Sequence, residues 1–197
     1  MSLTLSTRLT IVDRFVHKSL ATDIALVVAG AALTAGAAQV AIPMWPVPIT
    51  GQTFAVLLAG AALGKSRGAI SMALYVLLGA VGLPVFTGGK SGWAFGPTLG
   101  YLFGFIAAAA IVGFFAERSI GSKWFGVAIG FIAGNAAIYL FGLPVLSAFL
   151  GSVGYPNDLS ATVNAGLAPF VIGDAIKIAL ASTLLPAAWA LVKRVKH

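Results

Sequence analysis

The sequence predicts an all-α integral membrane protein, built as a bundle of six transmembrane helices. Of its 197 residues, 59% are hydrophobic and only 9% are charged, whereas a soluble domain carries about a quarter charged residues. Six apolar stretches approach the length of about 20 residues that a membrane helix requires. Nearly all cations fall in the two terminal segments and in alternate breaks between these stretches. With no polar stretch long enough for a second domain, residues 1–197 are expected to form a single transmembrane domain.

The six predicted helices lie between residues 22 and 192. They follow a short polar segment, residues 1–18, and precede a basic tail, residues 193–197. The first apolar run is too long for a signal peptide, so we expect it to be retained as a span. The longest break is predicted from Pro144 to Thr162. The predicted spans are Thr22–Ile42, Ile49–Leu63, Gly68–Pro84, Ala94–Ala116, Phe125–Leu143 and Leu167–Val192.

The cations are segregated to one side of this arrangement. Ten of the twelve Lys and Arg residues lie in the N-terminal segment, the second and fourth loops and the C-terminal tail, whereas the opposite loops hold only Lys90. Cations in short loops stay preferentially on the cytoplasmic side. Both termini are therefore predicted to be cytoplasmic. Because the cations cluster between apolar runs, the net charge of +7 is not taken as a sign of nucleic-acid binding.

Several classes of chemistry are disfavoured by what the chain lacks. It has no cysteine, and its two histidines, His17 and His197, lie in the terminal segments, so we expect no metal site and no catalytic thiol or histidine. Two stretches, Gly60–Ser66 and Gly89–Ser91, mimic a phosphate-binding loop. Neither has the required spacing or follows a strand of an α/β unit, so we expect no ATPase activity in this chain.

Asp174 and Lys177 stand out inside the sixth predicted span. A charge near the bilayer centre costs about 2.5–3.5 kcal/mol on insertion scales, so both side chains are expected to face the bundle interior or a wet cavity. Their spacing of three places them on one helix face, in the half of the helix that lies towards the outside. This pattern indicates either an ion pair that neutralises itself or a polar binding site for a small molecule with a carboxylate and an amide or urea group.

Other polar residues are candidates to complete such a pocket. Gln52 and Thr53 open the second predicted helix, Tyr101 lies near the start of the fourth, and Asn135 lies in the fifth. Asn135 fits a helix–helix hydrogen bond equally well. Trp93 lies in an outer loop. Either it belongs to the tryptophans that are common at the membrane interface, or it forms part of the wall of the pocket.

Small residues recur at a spacing of four, which lets helix backbones approach closely in lipid. Gly60 with Gly64, Gly100 with Gly104, and the series that includes Gly130 follow this spacing. Internal packing is the simplest explanation. In the first helix the same pattern also suits docking of another subunit, and the residues that form it are Ala31, Ala32, Ala35 and Gly36.

Four ordered segments of the chain resemble the BioY family of biotin-uptake proteins. The likeness runs from about Ala32 to Lys177, and the chain departs from the family's usual residues at Gly51 and Leu99, and in having no Asn in its third loop. The matching segments are Pro46–Gly60 (PVPITGQTFAVLLAG), Gly79–Phe86 (GAVGLPVF), Gly96–Tyr101 (GPTLGY) and Gly173–Lys177 (GDAIK).

The resemblance implies a substrate-capture (S) component of an energy-coupling factor (ECF) transporter in the cytoplasmic membrane of a prokaryote. Such a protein binds biotin from outside, has no cofactor, and is not itself an enzyme. Its implied partners are a transmembrane coupling subunit and two cytoplasmic ATPases. In the family the Asp and Lys of the sixth helix form the ligand-binding pair, here Asp174 and Lys177. Small residues of the first helix dock the partner.

The polar residues of the predicted pocket are compatible with biotin, but they do not identify it as the ligand. Lys177 suits its carboxylate, Asp174 or Asn135 suits the N–H donors of its ureido ring, and apolar walls suit its body. An S component for another vitamin, or a scaffold in which the pair is only structural, remains an alternative. An intramembrane enzyme acting on lipid is poorly supported by one buried acid and no buried histidine.

Overall fold

The computed structural model of the chain describes residues 10, 12–14, 16–17, 19–92, 96–118, 124–180 and 183. Within these residues the chain is mostly helical, with one short hairpin. The strands, β1 (Ala41–Ile42) and β2 (Ile49–Thr50), pair in antiparallel fashion. The helices are α1 (Leu20–Ala38), α2 (Gln52–Leu63), α3 (Lys65–Ala80), α4 (Leu99–Glu117), α5 (Trp124–Ser152), α6 (Leu159–Gly166) and α7 (171–180).

Four helical stretches are long and apolar enough to cross a membrane: Leu20–Ala38, Leu99–Glu117, Phe125–Ser152 and Leu159–Leu180. Helix α2 is apolar but has only 12 residues, and α3 has 16. Large apolar side chains remain exposed on the outside of the bundle, as expected where lipid is the solvent. The helical, multi-pass character of the chain agrees with the sequence prediction, whereas the count of six spans stays a prediction.

The facing ends of the first two predicted spans form a hairpin instead of helix. Ile42 and Ile49 are directly paired strand residues, so the predicted bounds Thr22–Ile42 and Ile49–Leu63 are wrong at these ends. The connection contains three prolines, which disfavour a helix because they lack the backbone N–H. The hairpin closes one end of the bundle and brings the start of α2 next to the end of α1.

The predicted second loop shrinks to a single residue, Gly64, with a φ of 85°. Glycine adopts this conformation without the steric cost of a Cβ, and the next backbone N–H, that of Lys65, donates to the Glu117 carboxylate at 2.8 Å. Lys65 and Arg67 therefore belong to α3 and not to a loop. At its other end α3 stops at Ala80, four residues before the predicted Pro84.

Helix α5 continues through Pro144 as far as Ser152, so the predicted long break from Pro144 to Thr162 is wrong. Membrane helices tolerate proline because local adjustments satisfy the freed carbonyl. The connection is residues 153–158, after which the Asp158 carboxylate caps α6 by accepting from Ala161 N at 3.0 Å. A 3₁₀ turn, Ala168–Phe170, leads into α7. The predicted span Leu167–Val192 is described as far as residue 180. Beyond that point all of its residues except 183 lie outside the described part of the chain.

Helix α4 lies at the centre of the bundle and packs against α2, α3 and α5, while α1 packs against α2 and α3. A Cβ added at Gly60 would lie 2.6 Å from the Ala109 carbonyl oxygen, and one at Gly104 would lie 2.8 Å from Ile138 Cα. The predicted close approach of helices at these glycines is therefore confirmed. Above these contacts, towards the hairpin, the helices separate around a cavity.

Candidate functional site

A cavity of about 360 Å³ lies at the end of the bundle that carries the hairpin. It falls within the range of about 300–1,000 Å³ typical of small-molecule sites. The hairpin, the start of α2, the α3–α4 connection and the facing sides of α4 and α5 enclose it. Its apolar lining includes Val47, Val76, Phe86, Leu102, Phe105, Ile138 and Phe170, and its polar lining includes Thr50, Gln52, Thr53, Thr87, Lys90, Ser91, Thr98, Tyr101 and Tyr139.

A charged pair on α7 lies directly behind this lining. The Lys177 ammonium donates to Thr53 Oγ1 at 2.6 Å, and to Thr50 O and Asp174 Oδ1 at 3.4 Å each. The Tyr139 hydroxyl donates to the other Asp174 oxygen. Thr53 and Tyr139 line the cavity. Two hydroxyl groups of the cavity lining, one from α2 and one from α5, are therefore hydrogen-bonded to the pair.

The predicted shared face of Asp174 and Lys177 is confirmed. Their side chains are 9% and 18% exposed, and they form an ion pair across one helical turn. Phe170, one turn earlier, lines the cavity, so the 3₁₀ turn before α7 presents an apolar residue to the cavity and α7 carries the charged pair one turn further along. Whether these two side chains contact a ligand stays a prediction.

Gln52 organises the wall of the cavity around the hairpin. Its amide nitrogen donates to the Tyr75 hydroxyl at 2.5 Å, and its carbonyl accepts from Thr50 Oγ1 at 3.0 Å and from Thr87 Oγ1 at 3.1 Å. The Tyr75 hydroxyl in turn donates to Val85 O at 3.3 Å. This network ties α2, α3, the hairpin and the α3–α4 connection together around the cavity.

The other predicted site residues have different positions. Tyr101 lines the cavity, and its hydroxyl donates to Gly166 O at 2.9 Å, joining α4 to α6. Asn135 is buried, and its amide nitrogen has no hydrogen-bond partner among the described residues. It lies one turn from Tyr139 and is not among the lining residues that the structure describes. Trp93 lies outside the described residues.

Sequence reasoning missed several members of the cavity lining, among them Tyr139 and Lys90. Tyr139 follows Asn135 by four residues and so shares its face of α5, a signal that was present in the sequence. Lys90 lies in the α3–α4 connection, where the sequence marks it only as a cation on the less basic side. Its place in the lining depends on the path of that connection, for which the sequence gives no pattern.

A second buried charge cluster lies at the opposite end of the bundle, where α2 meets α3. Arg67 is fully buried. Its Nη1 donates to Asp13 Oδ1 at 2.7 Å, and its Nε donates to Asp23 Oδ1 at 2.6 Å. Its Nη2 lies 2.5 Å from the same Asp23 oxygen but does not have the geometry of a hydrogen bond. Asp13 Oδ2 accepts from Thr10 N and Oγ1 at 2.9 and 3.0 Å. The sequence predicts that Arg67 lies in a loop. This prediction is wrong, because Arg67 belongs to α3 and is buried in this cluster.

The small residues of α1 divide between two faces. Ala31 is only 2% exposed and packs inside the bundle, which removes it from an exposed docking surface. Ala32 and Gly36 are exposed, and Ala35 is partly buried. A Cβ added at Gly36 would meet no atom within 4 Å. The docking role of Ala32, Ala35 and Gly36 stays a prediction.

Comparison with known proteins gives one consistent result. The BioY family matches this chain over residues 7–194. The biotin transporter BioY of Thermotoga maritima is 42% identical over 155 residues, covering 78% of this chain and 87% of its own length. That of Rhizobium etli is 36% identical over 148 residues, covering 71% and 76%.

The fold also matches a solved structure. The S-component for biotin from an ECF-type ABC transporter superposes with a TM-score of 0.71 at 27% identity, covering 89% of this chain and 91% of that one. The family match spans nearly the whole chain and includes every segment that surrounds the cavity. The chain therefore belongs to the BioY family.

Proposed function

We propose that the chain is the biotin-binding subunit of an uptake transporter and captures biotin at the outer face of the cytoplasmic membrane. The observation that carries this proposal is the cavity, which has apolar walls and is bounded by two hydroxyls bonded to a buried Asp–Lys pair. Biotin has an apolar body, a ureido ring with paired N–H groups and a carboxylate. Its polar ends and apolar middle match this distribution of groups.

The ureido ring is assigned to the deep side of the cavity. Asp174 provides a carboxylate that accepts N–H donors, and Tyr139 and Thr53 provide hydroxyls that donate or accept. Release of the Thr53 and Tyr139 hydrogen bonds would give a ligand direct access to Lys177 and Asp174. Gln52 and Tyr101 complete the wall, while Asn135 is buried and is not among the described lining residues.

The proposed topology has six spans with both termini in the cytoplasm. The segregation of cations supports it, since Lys65 and Arg118 lie at the end of the bundle opposite Lys90. In this orientation the cavity lies towards the outside and Arg67 towards the cytoplasm. The cavity end is therefore the one that meets an extracellular ligand.

Transport is assigned to an assembly with a transmembrane coupling subunit and two cytoplasmic ATPases. The exposed face of α1 that includes Ala32 and Gly36 is the proposed contact with the coupling subunit, because small exposed residues allow close helix packing. ATP hydrolysis belongs to the partners in this proposal. An S component for a different vitamin is the alternative, and a ligand screen separates the two.

Binding of radiolabelled biotin to the purified protein tests the proposal. Asp174→Asn and Lys177→Met are expected to weaken binding by at least about thirtyfold, because each removes a charged group that is proposed to form a buried hydrogen bond with the ligand, and such a loss costs about 2 kcal/mol or more. Asp158→Asn is the matched control, since it removes an exposed carboxylate but keeps the helix cap. Thermal unfolding checks that each variant is folded.

Three results would contradict parts of this proposal. Absence of biotin binding by the folded wild-type protein would reject biotin as the ligand. Equal binding by all four proteins would reject the assigned site while leaving the ligand in place. Tighter binding of another vitamin in the ligand screen would favour the alternative S component.

A further inference from the structure

We infer that Lys90 binds the anionic end of the ligand at the mouth of the cavity, which makes it a residue that selects for a carboxylate. This inference rests on the proposed function and refines it. Lys90 is exposed and lines the cavity together with Ser91. Among the described lining residues it is the one with a charged side chain. The carboxylate of the ligand would then point to the mouth, and the ring would lie against the deep wall.

The two lysines on this side of the bundle differ in what they already bind. Lys177 donates to Thr53, Thr50 and Asp174, so its charge is compensated by an acid on its own helix. The structure records no hydrogen bond or ion pair for the Lys90 ammonium within the described part of the chain. An incoming carboxylate would therefore compete with an existing acid at Lys177 but would meet an uncompensated cation at Lys90.

The backbone that carries Lys90 is held in a fixed turn. Phe86 N donates to Lys90 O at 3.0 Å, and Gly89 N donates back to Phe86 O at 3.0 Å. Gly88 and Gly89 both have a φ of 70°, a conformation that glycine adopts without strain. The turn is therefore a closed loop of defined shape at the rim of the cavity.

The side chain of the residue that follows α1 fixes this turn to the bundle. The Gln39 amide nitrogen donates to Phe86 O at 3.2 Å, and its carbonyl accepts from Gly89 N at 3.2 Å. The Phe86 ring packs edge-on against Tyr75 at a centroid distance of 5.5 Å. Holding the turn in place before a ligand arrives reduces the ordering cost of binding, although the lysine side chain itself must still be ordered.

Charge at the rim of a binding site mainly affects the rate of association and its dependence on salt. Lys90→Gln is expected to weaken biotin binding about fivefold, the factor equivalent to about 1 kcal/mol, which is the upper value for an exposed ion pair. The loss is expected in the association rate and should shrink at high ionic strength. Lys90→Arg keeps the charge and should bind as the wild type does.

Biotinamide, which replaces the carboxylate by a neutral amide, separates recognition of charge from recognition of shape. Affinities for biotin and biotinamide are measured by competition with labelled biotin on the wild type, Lys90→Gln, Lys90→Arg, Lys177→Gln and Lys65→Gln. Lys65 is an exposed cation at the other end of the bundle and controls for the loss of one charge. Only Lys90→Gln is expected to lose the preference for biotin over biotinamide.

The outcomes separate this inference from the proposed function. If Lys177→Gln abolishes the preference and Lys90→Gln keeps it, the carboxylate binds at Lys177 and the inference is wrong. Equal weakening of both ligands by Lys90→Gln would mean that the residue supports the turn and does not recognise charge. Unchanged binding of both ligands by Lys90→Gln would also overturn the inference. Failure of the wild type to bind either ligand would reject the proposed function itself.

Discussion

Replacement of Arg67 by methionine is expected to destabilise the protein strongly. Arg67 is fully buried, and the side chains of both of its partners, Asp13 and Asp23, are also fully buried. Methionine keeps much of the volume but removes every hydrogen bond that Arg67 donates to these two carboxylates. Breaking a buried ion pair by removing one partner costs about 3–5 kcal/mol, because the remaining charge is left uncompensated.

Both carboxylates lose the guanidinium contacts of Arg67 on this substitution. Asp13 keeps two hydrogen bonds from Thr10. Adding Asp23→Asn to Arg67→Met replaces a buried charge by a buried amide, which costs less to bury. The double variant is therefore expected to be more stable than Arg67→Met alone.

Thermal unfolding of the detergent-purified protein measures this effect. A loss of about 3–5 kcal/mol corresponds to a fall of about 6–20 °C in Tm for a chain of this size. Lys65→Met is the matched control, because Lys65 is exposed on the same helix and its loss should change stability by less than about 0.5 kcal/mol. A Tm for Arg67→Met equal to that of the control would refute the assignment of the cluster as stabilising. Failure of Asp23→Asn to recover any stability would refute the uncompensated charge as the cause.

Two further predictions concern helix packing and acid stability. Gly60→Ala places a Cβ 2.6 Å from the Ala109 carbonyl oxygen, a backbone atom, and should cost about 1–3 kcal/mol, or about 2–12 °C in Tm. Gly36→Ala meets no atom within 4 Å and serves as the control, so equal Tm values for the two variants would contradict the packing argument. Burial raises the pKa of Asp13, but hydrogen bonds from Thr10 and Arg67 outweigh this and leave the pKa below its ordinary value of 3.8. Because the unfolded chain then binds the proton more tightly, this stabilisation is complete above about pH 3.8 and is lost as the pH falls through the lower, folded-state pKa. Tm measured from neutral to acidic pH should fall less steeply for Asp13→Asn than for the wild type, and parallel profiles would show that Asp13 does not contribute.

The sequence predicts those features that depend on composition or on position along one helix. Lipid as the solvent follows from the scarcity of charge, and the shared face of Asp174 and Lys177 follows from the helical period. Close packing at Gly60 follows from the absence of a side chain. The BioY resemblance was likewise readable from four short segments, and the family match confirms it.

Boundaries were predicted less well because turn chemistry competes with hydropathy. Ile42 and Ile49 are apolar enough to belong to the ends of membrane helices by hydropathy. The prolines between them disfavour helix, and the two residues pair in a hairpin. The sequence predicts a break at Pro144, although a membrane helix continues through it. The sequence predicts a loop that begins at Gly64, whereas this single residue with positive φ reverses the chain.

The tertiary structure alone decides which distant groups meet. Arg67 reaches carboxylates 44 and 54 positions away in the chain, and Lys177 reaches Thr53 across 124 positions. These distances in sequence carry no period, so no pattern along the chain predicts them. The sequence by itself determined that this is a membrane protein with a buried Asp–Lys pair. The packing of α2, α5 and α7 decided that the pair lies behind Thr53 and Tyr139, and the path of the α3–α4 connection decided that Lys90 lies at the mouth, because both depend on how separate segments fold against one another.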